Sequence, residues 1–487
     1  SIRRQRQMCI RDSTGGGKTE AFIIPILTYV LEQKFKTKFA GVTGRNTVKC
    51  IVMYPTKALA NDQADRLAEI LHVMNRTLAV DMKISFGVFT ADTPRHVGDM
   101  RTKDIFLQVC PSCREATVTY DDTRRCARCK NCGETIEYAR LTRNDMLFHP
   151  PDILITNPDT INVHIQNPRA RALFASPVEF MVFDEIHQLV GVFGCNVAHL
   201  LRRFETLTGR KPIYIGLSAT VGNPEEQASL LFNLPFDKIT YLRAGKEYFI
   251  PLEKEADKYR VHIAVQPAEQ LGNYSYRTVA STINVADMLA HSVSDIHARK
   301  MLIFTNFRKD TDKIAQLFVE QEERYFRTFE EQLANKLLIS SKIDDYFERK
   351  IAAQVGWWHK VLSKCGMLYR GPVDIGWHRG GLEPKSRLRT LTLLKETDKY
   401  FDTRAPFEKP SKERPLDLVV ATKTLELGID IGDITGVMNS TAPFTSNEYI
   451  QRVGRGGRTK DSFAITIVNP EVPLDEYFYD NFEGEYA

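Results

Sequence analysis

Ser13-Thr14-Gly15-Gly16-Gly17-Lys18-Thr19-Glu20 is the stretch from which the rest of this 487-residue chain can be read. Three glycines precede Lys-Thr, and the mostly apolar run Ala21 to Leu27 follows. Glycines let the backbone curl so that successive N–H groups face a phosphate. A helix beginning at Gly17 or Lys18 adds its positive end. In such a loop Thr14, Gly15, Gly16 and Gly17 form the cradle, Lys18 sets a charge at the β/γ-phosphates, and Thr19 offers a hydroxyl to Mg²⁺. The pattern asks for glycine five residues before Gly17, where the chain has Asp12. The plainer alternative is a glycine-rich turn. A bound nucleotide also needs a carboxylate for the metal and arginines for the leaving phosphate, and other parts of the chain must supply them. Little chain precedes the loop, leaving little room for a strand leading into it. The sequence reads as part of a longer protein.

Composition sets the frame. Hydrophobic residues make up 43 % and charged residues 26 %, the balance of a globular protein with sizeable cores. The length suits about two to four domains. A net charge of +5 is a small excess for this length and argues only weakly for a nucleic-acid partner. No run of about 18 apolar residues appears and no signal-peptide pattern opens the chain, so the reading is cytoplasmic with no membrane span. Five of the nine cysteines fall between Cys110 and Cys132, which points to metal and a reducing compartment rather than to disulfides.

Short apolar runs at Val48–Tyr54, Ile84–Phe89, Ile153–Thr156, Phe180–Phe183 and Ile213–Ser218 read as buried strands. Lys34 to Asn46 reads as a loop, and Thr56 to Met74 as a helix. Strands alternating with helices predict a parallel sheet covered on both faces. Ligands of such sheets sit at the carboxyl ends of the strands. Here those ends carry Thr56-Lys57, Thr156-Asn157, Asp184-Glu185 and Ser218-Ala219-Thr220. After about Pro251 the pattern restarts with strands at Lys300–Thr305, Leu416–Ala421 and Phe463–Val468. A charged, aromatic-rich stretch of helical character, from about Gln316 to Lys364, lies within this second set.

Asp184 and Glu185 close an apolar strand, where Asp184 can hold Mg²⁺ through water and Glu185 can polarise an attacking water. Gln451-Arg452-Val453-Gly454-Arg455-Gly456-Gly457-Arg458 spaces arginines with glycine, and their guanidinium forks suit phosphate oxygens. Cys110-Pro111-Ser112-Cys113 and Cys129-Lys130-Asn131-Cys132 form two C-x-x-C knuckles, the pattern of a four-thiolate Zn²⁺ site. Cys126 is a spare that could replace Cys129 or Cys132, or stay free. The cysteines lie between two core strands, so the site is an insertion in the first domain. Its Arg114, Arg124, Arg125, Arg128 and Lys130 make it basic.

The set Gly15–Glu20, Asp184–His187, Ser218-Ala219-Thr220 and Gln451–Arg458, in this order, resembles the superfamily 2 helicases of the DEAD/DEAH type. The resemblance runs over nearly the whole chain. Further blocks agree: Tyr54–Gln63, Thr156–Asp159, His378–Leu382 and Val420–Asp430. The run Asp184 to Arg203, with Gly191-Val192-Phe193-Gly194, is similar to Mrf-type (YprA-like) repair helicases, and related helicases occur in phage-defence systems of the DISARM type. The resemblance implies an α/β protein of two RecA-like domains, 1–250 and 251–487. A zinc ribbon would be inserted at 101–145 and helices at 316–372. It implies ATP and Mg²⁺ as ligands. Lys18, Asp184, Glu185, Gln451, Arg455 and Arg458 would act on ATP, with Asp430 near the sugar. Thr56, Lys57, Thr156, Asn157 and Thr422 would grip the phosphates of one strand, a contact that does not read sequence. His187, Ser218 and Thr220 would link nucleotide state to that grip. The implied function is an ATP-dependent helicase or translocase on DNA rather than RNA, moving 3′-to-5′, in DNA repair or phage defence. It would work with a partner protein or with accessory domains beyond this stretch. An RNA helicase, or an ATP-switched binding subunit without unwinding, is the alternative.

Overall fold

The computed structural model describes residues 7–11, 18–40, 46–101, 105–115, 117–174, 178–218, 223–243, 260–267, 274–292, 300–336, 373–380, 382, 384–400, 416–426, 431–432, 434–457 and 461–482. The chain divides into two compact units, Ser1–Ile250 and Pro251–Ala487.

The first unit contains β1 (Gln7–Arg11), β2 (Cys50–Met53), β3 (Phe86–Phe89), β4 (Val118–Asp121), β5 (Cys126–Cys129), β6 (Thr135–Ile136), β7 (Ala139–Arg140), β8 (Ile153–Thr156), β9 (Phe180–Phe183), β10 (Ile213–Ser218) and β11 (Ile239–Arg243). Eight of them form one sheet in the order β11-β1-β10-β9-β2-β8-β3-β7. Every pairing in it is parallel. β2, β3 and β8 are buried along their whole length, as expected of central strands covered on both faces. The core gathers Ile51, Met181, Phe183, Leu200, Tyr214 and Phe232, with the Tyr214 and Phe232 rings stacked at 4.9 Å.

The strand for which the sequence left little room is present. β1 leads toward the glycine loop and pairs with β10 and β11. Lys34 to Phe39, read as loop, continues helix α1 (Lys18–Phe39). The polar residues there hold the helix end down: Lys34 Nζ is 3.0 Å from the buried Asp152, and Lys38 Nζ is 2.5 Å from Asp81. Helix α2 (Lys57–Thr77) follows β2, α3 (Arg143–Phe148) follows β7, and α4 (Pro158–His164) follows β8. β4, β5 and β6 make a separate antiparallel sheet, the cysteine-bearing insertion.

The second unit contains β12 (Arg260–Val265), β13 (Met301–Phe304), β14 (Ile375–His378), β15 (Leu418–Ala421), β16 (Gly436–Asn439) and β17 (Ser462–Ile467). They form one sheet in the order β12-β17-β16-β13-β15-β14, parallel throughout. Both units are therefore α/β with parallel sheets, the RecA-like arrangement. Three of these strands escaped the sequence reading. β12 and β14 are edges with only partial burial, so their apolar signal is weak. β16 opens with Gly436, against which the Phe463 ring packs so closely that a Cβ would stand 2.3 Å from it. The helix Arg308–Lys336 covers the start of the proposed helical insertion. The remainder of that stretch, with Trp357, Trp358 and His359, lies outside the described residues.

Candidate functional site

The carboxyl ends of β2, β8, β9 and β10 bring the expected residues of the first unit to one edge of its sheet. Asp184 and Glu185 leave β9. The Glu185 N–H donates to Asp184 Oδ1 at 2.9 Å, and Glu185 itself adopts φ 54°, ψ 49°. That left-handed conformation is uncommon for a residue with a Cβ and costs about 1–2 kcal/mol. It turns the chain at once into the 3₁₀ turn Ile186–Gln188, which places His187 under the site. His187 is 7 % exposed, with Nδ1 2.9 Å from Ser218 Oγ and 3.3 Å from Glu185 Oε2. One imidazole nitrogen thus touches both the carboxylate at the end of β9 and the hydroxyl at the end of β10. Gly191 and Gly194 follow for steric reasons. Gly191 has φ +57°, and a Cβ on Gly194 would lie 2.3 Å from the Leu189 carbonyl oxygen.

Helix α2 organises the rest of this edge. Thr56 is its N-cap, accepting from the Leu59 N–H at 3.3 Å, and Lys57 Nζ pairs with Asp92 at 2.8 Å. Gln63 Oε1 accepts from the Thr19 hydroxyl at 3.5 Å, and Arg66 pairs with Glu20, so α2 is tied to the first turn of α1. Thr19 and Asp184, the residues expected at Mg²⁺, both belong to this edge. Thr14, Gly15, Gly16 and Gly17, the Lys18 side chain, Thr220, Asp430 and Arg458 lie outside the described residues.

Thr156 and Asn157, expected at the strand, turn their side chains inward. Thr156 is fully buried and its Oγ1 donates to the Phe89 carbonyl at 2.7 Å. Asn157 is 7 % exposed, and its Oδ1 caps α4 by accepting from the Thr160 N–H at 2.9 Å. Both side chains face inward because the end of a central strand must satisfy its own polar groups. They shape this edge from within.

In the second unit the expected residues cluster around a buried arginine that the sequence reading did not single out. Arg452 has no exposed surface. Its Nε donates to Glu426 Oε1 at 2.6 Å, Nη2 to Asn306 Oδ1 at 2.9 Å and Nη1 to Asn439 Oδ1 at 3.4 Å. Arg455, expected to reach a phosphate, is 3 % exposed, and its Nη2 donates to the Glu426 carbonyl at 2.6 Å. Any phosphate contact by Arg455 has to share or replace that bond. Gln451 is half-buried on the same helix, Ser446–Val453. Thr422 is buried at the end of β15. The neighbouring Thr424 hydroxyl is 2.9 Å from Nδ1 of His378, whose pKa burial lowers to about 4. His378 is therefore neutral across the physiological range and serves as a hydrogen-bond partner.

The inserted sheet carries a closed cluster of thiols. Sγ of Cys110, Cys113, Cys129 and Cys132 all lie within 4.8 Å of one another, with Cys110–Cys132 and Cys113–Cys129 each at 3.6 Å. A tetrahedral Zn²⁺ with bonds of about 2.3 Å requires sulfurs about 3.8 Å apart, and a disulfide requires about 2.05 Å. The set fits the metal. Cys126, kept open as a substitute ligand, is buried outside this cluster. Cys129 is pulled down to about 6: burial opposes this, but hydrogen bonds from Thr117, the N–H groups of Cys132 and Asn131, and Cys113 outweigh it. A thiolate at this position is what a metal needs. Zinc content is expected to fall in Cys113→Ser and to stay at one ion per chain in Cys126→Ser. Elemental analysis and the thiolate absorption of the cobalt-substituted chain read this out directly.

The insertion rests along α2. Asp65 accepts from the N–H groups of Gln108 and Val109 at 3.0 and 3.3 Å, and the Ala68 carbonyl accepts from Tyr138 at 3.0 Å. His72 lies 3.7 Å from Glu134. Residues 65, 68 and 72 share one helical face. Burial pushes the Asp65 carboxyl up to about 7, against the two N–H bonds that favour its charged form. An acid raised on folding contributes stability that is complete below about pH 4 and is lost as pH rises through about 7. Amide exchange at Gln108 and Val109 in the zinc-loaded chain is therefore expected to speed up between pH 5.5 and pH 8 beyond its intrinsic rise. Asp65→Asn should remove the excess, and an excess unchanged in Asp65→Asn would refute the assignment.

The sequence model of the family described as DEAD/DEAH box helicase matches residues 1–106 and 102–228, and that of the helicase conserved C-terminal domain matches residues 373–460. The chain is 25 % identical over 460 residues to the ATP-dependent helicase Lhr-Core of Sulfolobus acidocaldarius, covering 94 % of this chain and 38 % of that protein. It is 23 % identical over 469 residues to the uncharacterized ATP-dependent helicase YprA of Bacillus subtilis, covering 95 % and 44 %. Among solved structures, helicase MrfA bound to DNA matches with a TM-score of 0.56 and 20 % identity, over 98 % of this chain and 46 % of that one. The chain thus spans about two fifths of the length of these curated relatives. With a DEAD/DEAH box domain in its first unit and a helicase C-terminal domain in its second, the chain belongs to the superfamily 2 helicases.

Proposed function

We propose that this chain is the ATP-hydrolysing motor of a DNA helicase or translocase. The observation that carries the reading is the contact chain Glu185–His187–Ser218 at the sheet edge that also holds Asp184, Thr19 and the start of α2. Glu185 orients and deprotonates the attacking water, and Lys18 holds the β/γ-phosphates. Thr19 and Asp184 would hold Mg²⁺, which would supply charge neutralisation on the phosphate oxygens. Gln451, Arg455 and Arg458 are the second unit's contribution, and Asp430 lies by the sugar. His187 senses the carboxylate and passes its state to Ser218 and Thr220. Thr56, Lys57 and Thr422 contact strand phosphates, with Thr156 and Asn157 holding the loops that do so. Four thiolates hold Zn²⁺ as a structural ion.

DNA is favoured over RNA because the sequence relatives include Lhr-Core and YprA, and MrfA and an Lhr helicase were solved with DNA at 20 % identity, against 16 % for the RNA-bound Mss116p. Travel from 3′ to 5′, a role in repair or phage defence, a cytoplasmic setting and accessory domains or a partner belong to the same proposal. Among the described residues no helix is long and apolar enough to cross a membrane.

The test is the ATPase rate with single-stranded DNA, duplex DNA and RNA. Single-stranded DNA is expected to stimulate at least tenfold. Stimulation by RNA alone would reject the DNA assignment. No stimulation by any of the three would leave an ATP-switched binding subunit as the better description.

A further inference from the structure

A cavity of about 350 Å³ lies between the zinc-bearing insertion and the edge of the first sheet. Its walls come from three places: the segment after β3 (His96), the small antiparallel sheet with its β4–β5 turn (Tyr120, Arg125), and β7 with α3 and its C-cap (Arg140, Phe148, His149). No residue of the ATP chemistry lines it. The volume matches one nucleotide-sized ligand and lies at the lower end of small-molecule sites.

Four observations define what it takes. Arg140 lines the cavity and brings a guanidinium to it, and its Nε is buried without a hydrogen-bond partner. Phe148 is 63 % exposed although it lines a cavity, so its ring is available for stacking, and Tyr120 adds a second ring. The lining also holds the carboxylates of Asp145 and Glu137, and His149 Nδ1 sits 3.0 Å from Asp145 Oδ1, a hydrogen-bond contact that engages that carboxylate within the protein. The cavity also lies on the carboxyl side of the sheet. β7 is parallel to β3 and β3 to β8, so the chain leaving Arg140 emerges at the edge that holds Thr56 and Lys57.

A continuous wall joins the two places. Lys57 pairs with Asp92, the Arg143 guanidinium donates to the Thr93 carbonyl at 2.8 Å, and the Asn144 N–H donates to the Arg95 carbonyl at 3.0 Å. Arg95 is exposed on this wall. Cations spaced along a wall that ends in aromatic rings are the features by which proteins hold single strands without reading sequence.

We propose that this cavity receives one nucleotide of the bound single strand, the base against Phe148 and Tyr120 and its phosphate toward Arg125 and Arg140, beyond the grip at Thr56 and Lys57. The zinc then has a second consequence, because the ribbon it holds together is one wall of the pocket. This inference rests on the nucleic-acid reading above.

The test uses the whole zinc-loaded chain and the double variant Arg125→Asn/Phe148→Ala. Both residues are exposed. Asn tolerates the φ of 54° found at position 125. Unchanged zinc content and melting temperature establish that the variant is folded. Binding of thymidine oligonucleotides of increasing length is measured by fluorescence anisotropy. The variant is expected to bind long oligonucleotides about 5- to 100-fold more weakly, the effect of losing one stacked base, and to match the wild type on the shortest. An oligonucleotide carrying 5-iodouracil should crosslink within residues 96–149. Equal affinity of variant and wild type at every length, with no crosslink there, overturns the pocket and leaves the helicase reading intact. Failure of the wild type to bind any strand overturns both. Abolition of the crosslink by free thymidine monophosphate, without loss of strand binding, assigns the cavity to free nucleotide and overturns the strand assignment.

Discussion

Glu185→Gln is expected to lower nucleic-acid-stimulated ATP hydrolysis by about 10²- to 10⁴-fold while leaving nucleotide binding in place. The substitution keeps shape and removes only the basic oxygen. Glu185 has the geometry of a residue held for a purpose. It occupies a left-handed backbone conformation, its side chain is 12 % exposed, and Oε2 is 3.3 Å from the buried His187. The His187 contact survives as a hydrogen bond to the amide, so the fold around Ser218 should persist. Steady-state turnover with single-stranded DNA, beside binding of a non-hydrolysable ATP analogue, separates the two effects. Turnover within threefold of the wild type would show that another group activates the water. The change should also differ in kind from Ser218→Ala, which breaks the 2.9 Å contact to His187. In that variant hydrolysis should outlast strand displacement, because the carboxylate is untouched and only the connection is cut.

Arg452→Ala is expected to destabilise the second unit by about 3–5 kcal/mol, the usual cost of removing one partner of a buried ion pair. The side chain has no exposed surface, and the guanidinium lies 5.6 Å over the Phe304 ring. Burial raises the pKa of Glu426, and the Arg452 charge is the main influence holding it down. Without that charge Glu426 takes up a proton more readily in the folded unit. The variant's remaining stability should therefore decline as pH rises above the ordinary carboxylate range, more steeply than in the wild type. Arg452→Lys should recover only part of the loss, because one ammonium cannot serve Glu426, Asn306 and Asn439 in three directions. Denaturant melts across pH, with amide exchange assigning the loss to the second unit, provide the measurement. A loss under 1 kcal/mol would mean that the pair does not hold this unit together.

The two variants also mark the boundary between what pattern and packing each reveal. Glu185 was legible from the sequence because an acidic pair closing an apolar strand is a local feature, and so were the paired knuckles of Cys110, Cys113, Cys129 and Cys132. The parallel α/β class followed from strands buried along their whole length, such as Ile153–Thr156, which advertise themselves as continuous apolar runs. Edge strands do not, and Arg260–Val265 and Ile375–His378 were missed because half their side chains face away from any core. The motif Gln451–Arg458 points to Arg455 and Arg458 at a phosphate and does not distinguish Arg452 from them. One residue type at two nearby positions gives no hint of which guanidinium meets a buried glutamate from another strand.

By itself, then, the sequence determined the class of fold, the order of the chemical groups along it and the metal's ligand types, because these depend on neighbours within a few residues. Only the tertiary structure decided where the side chains point. It turned Thr156 and Asn157 inward, set Cys126 aside from the thiol cluster, buried Arg452 and opened the cavity beside Arg140. Each of those outcomes is fixed by contacts between segments distant in the chain, where burial and hydrogen-bond satisfaction act on the assembled neighbourhood rather than on the residue alone.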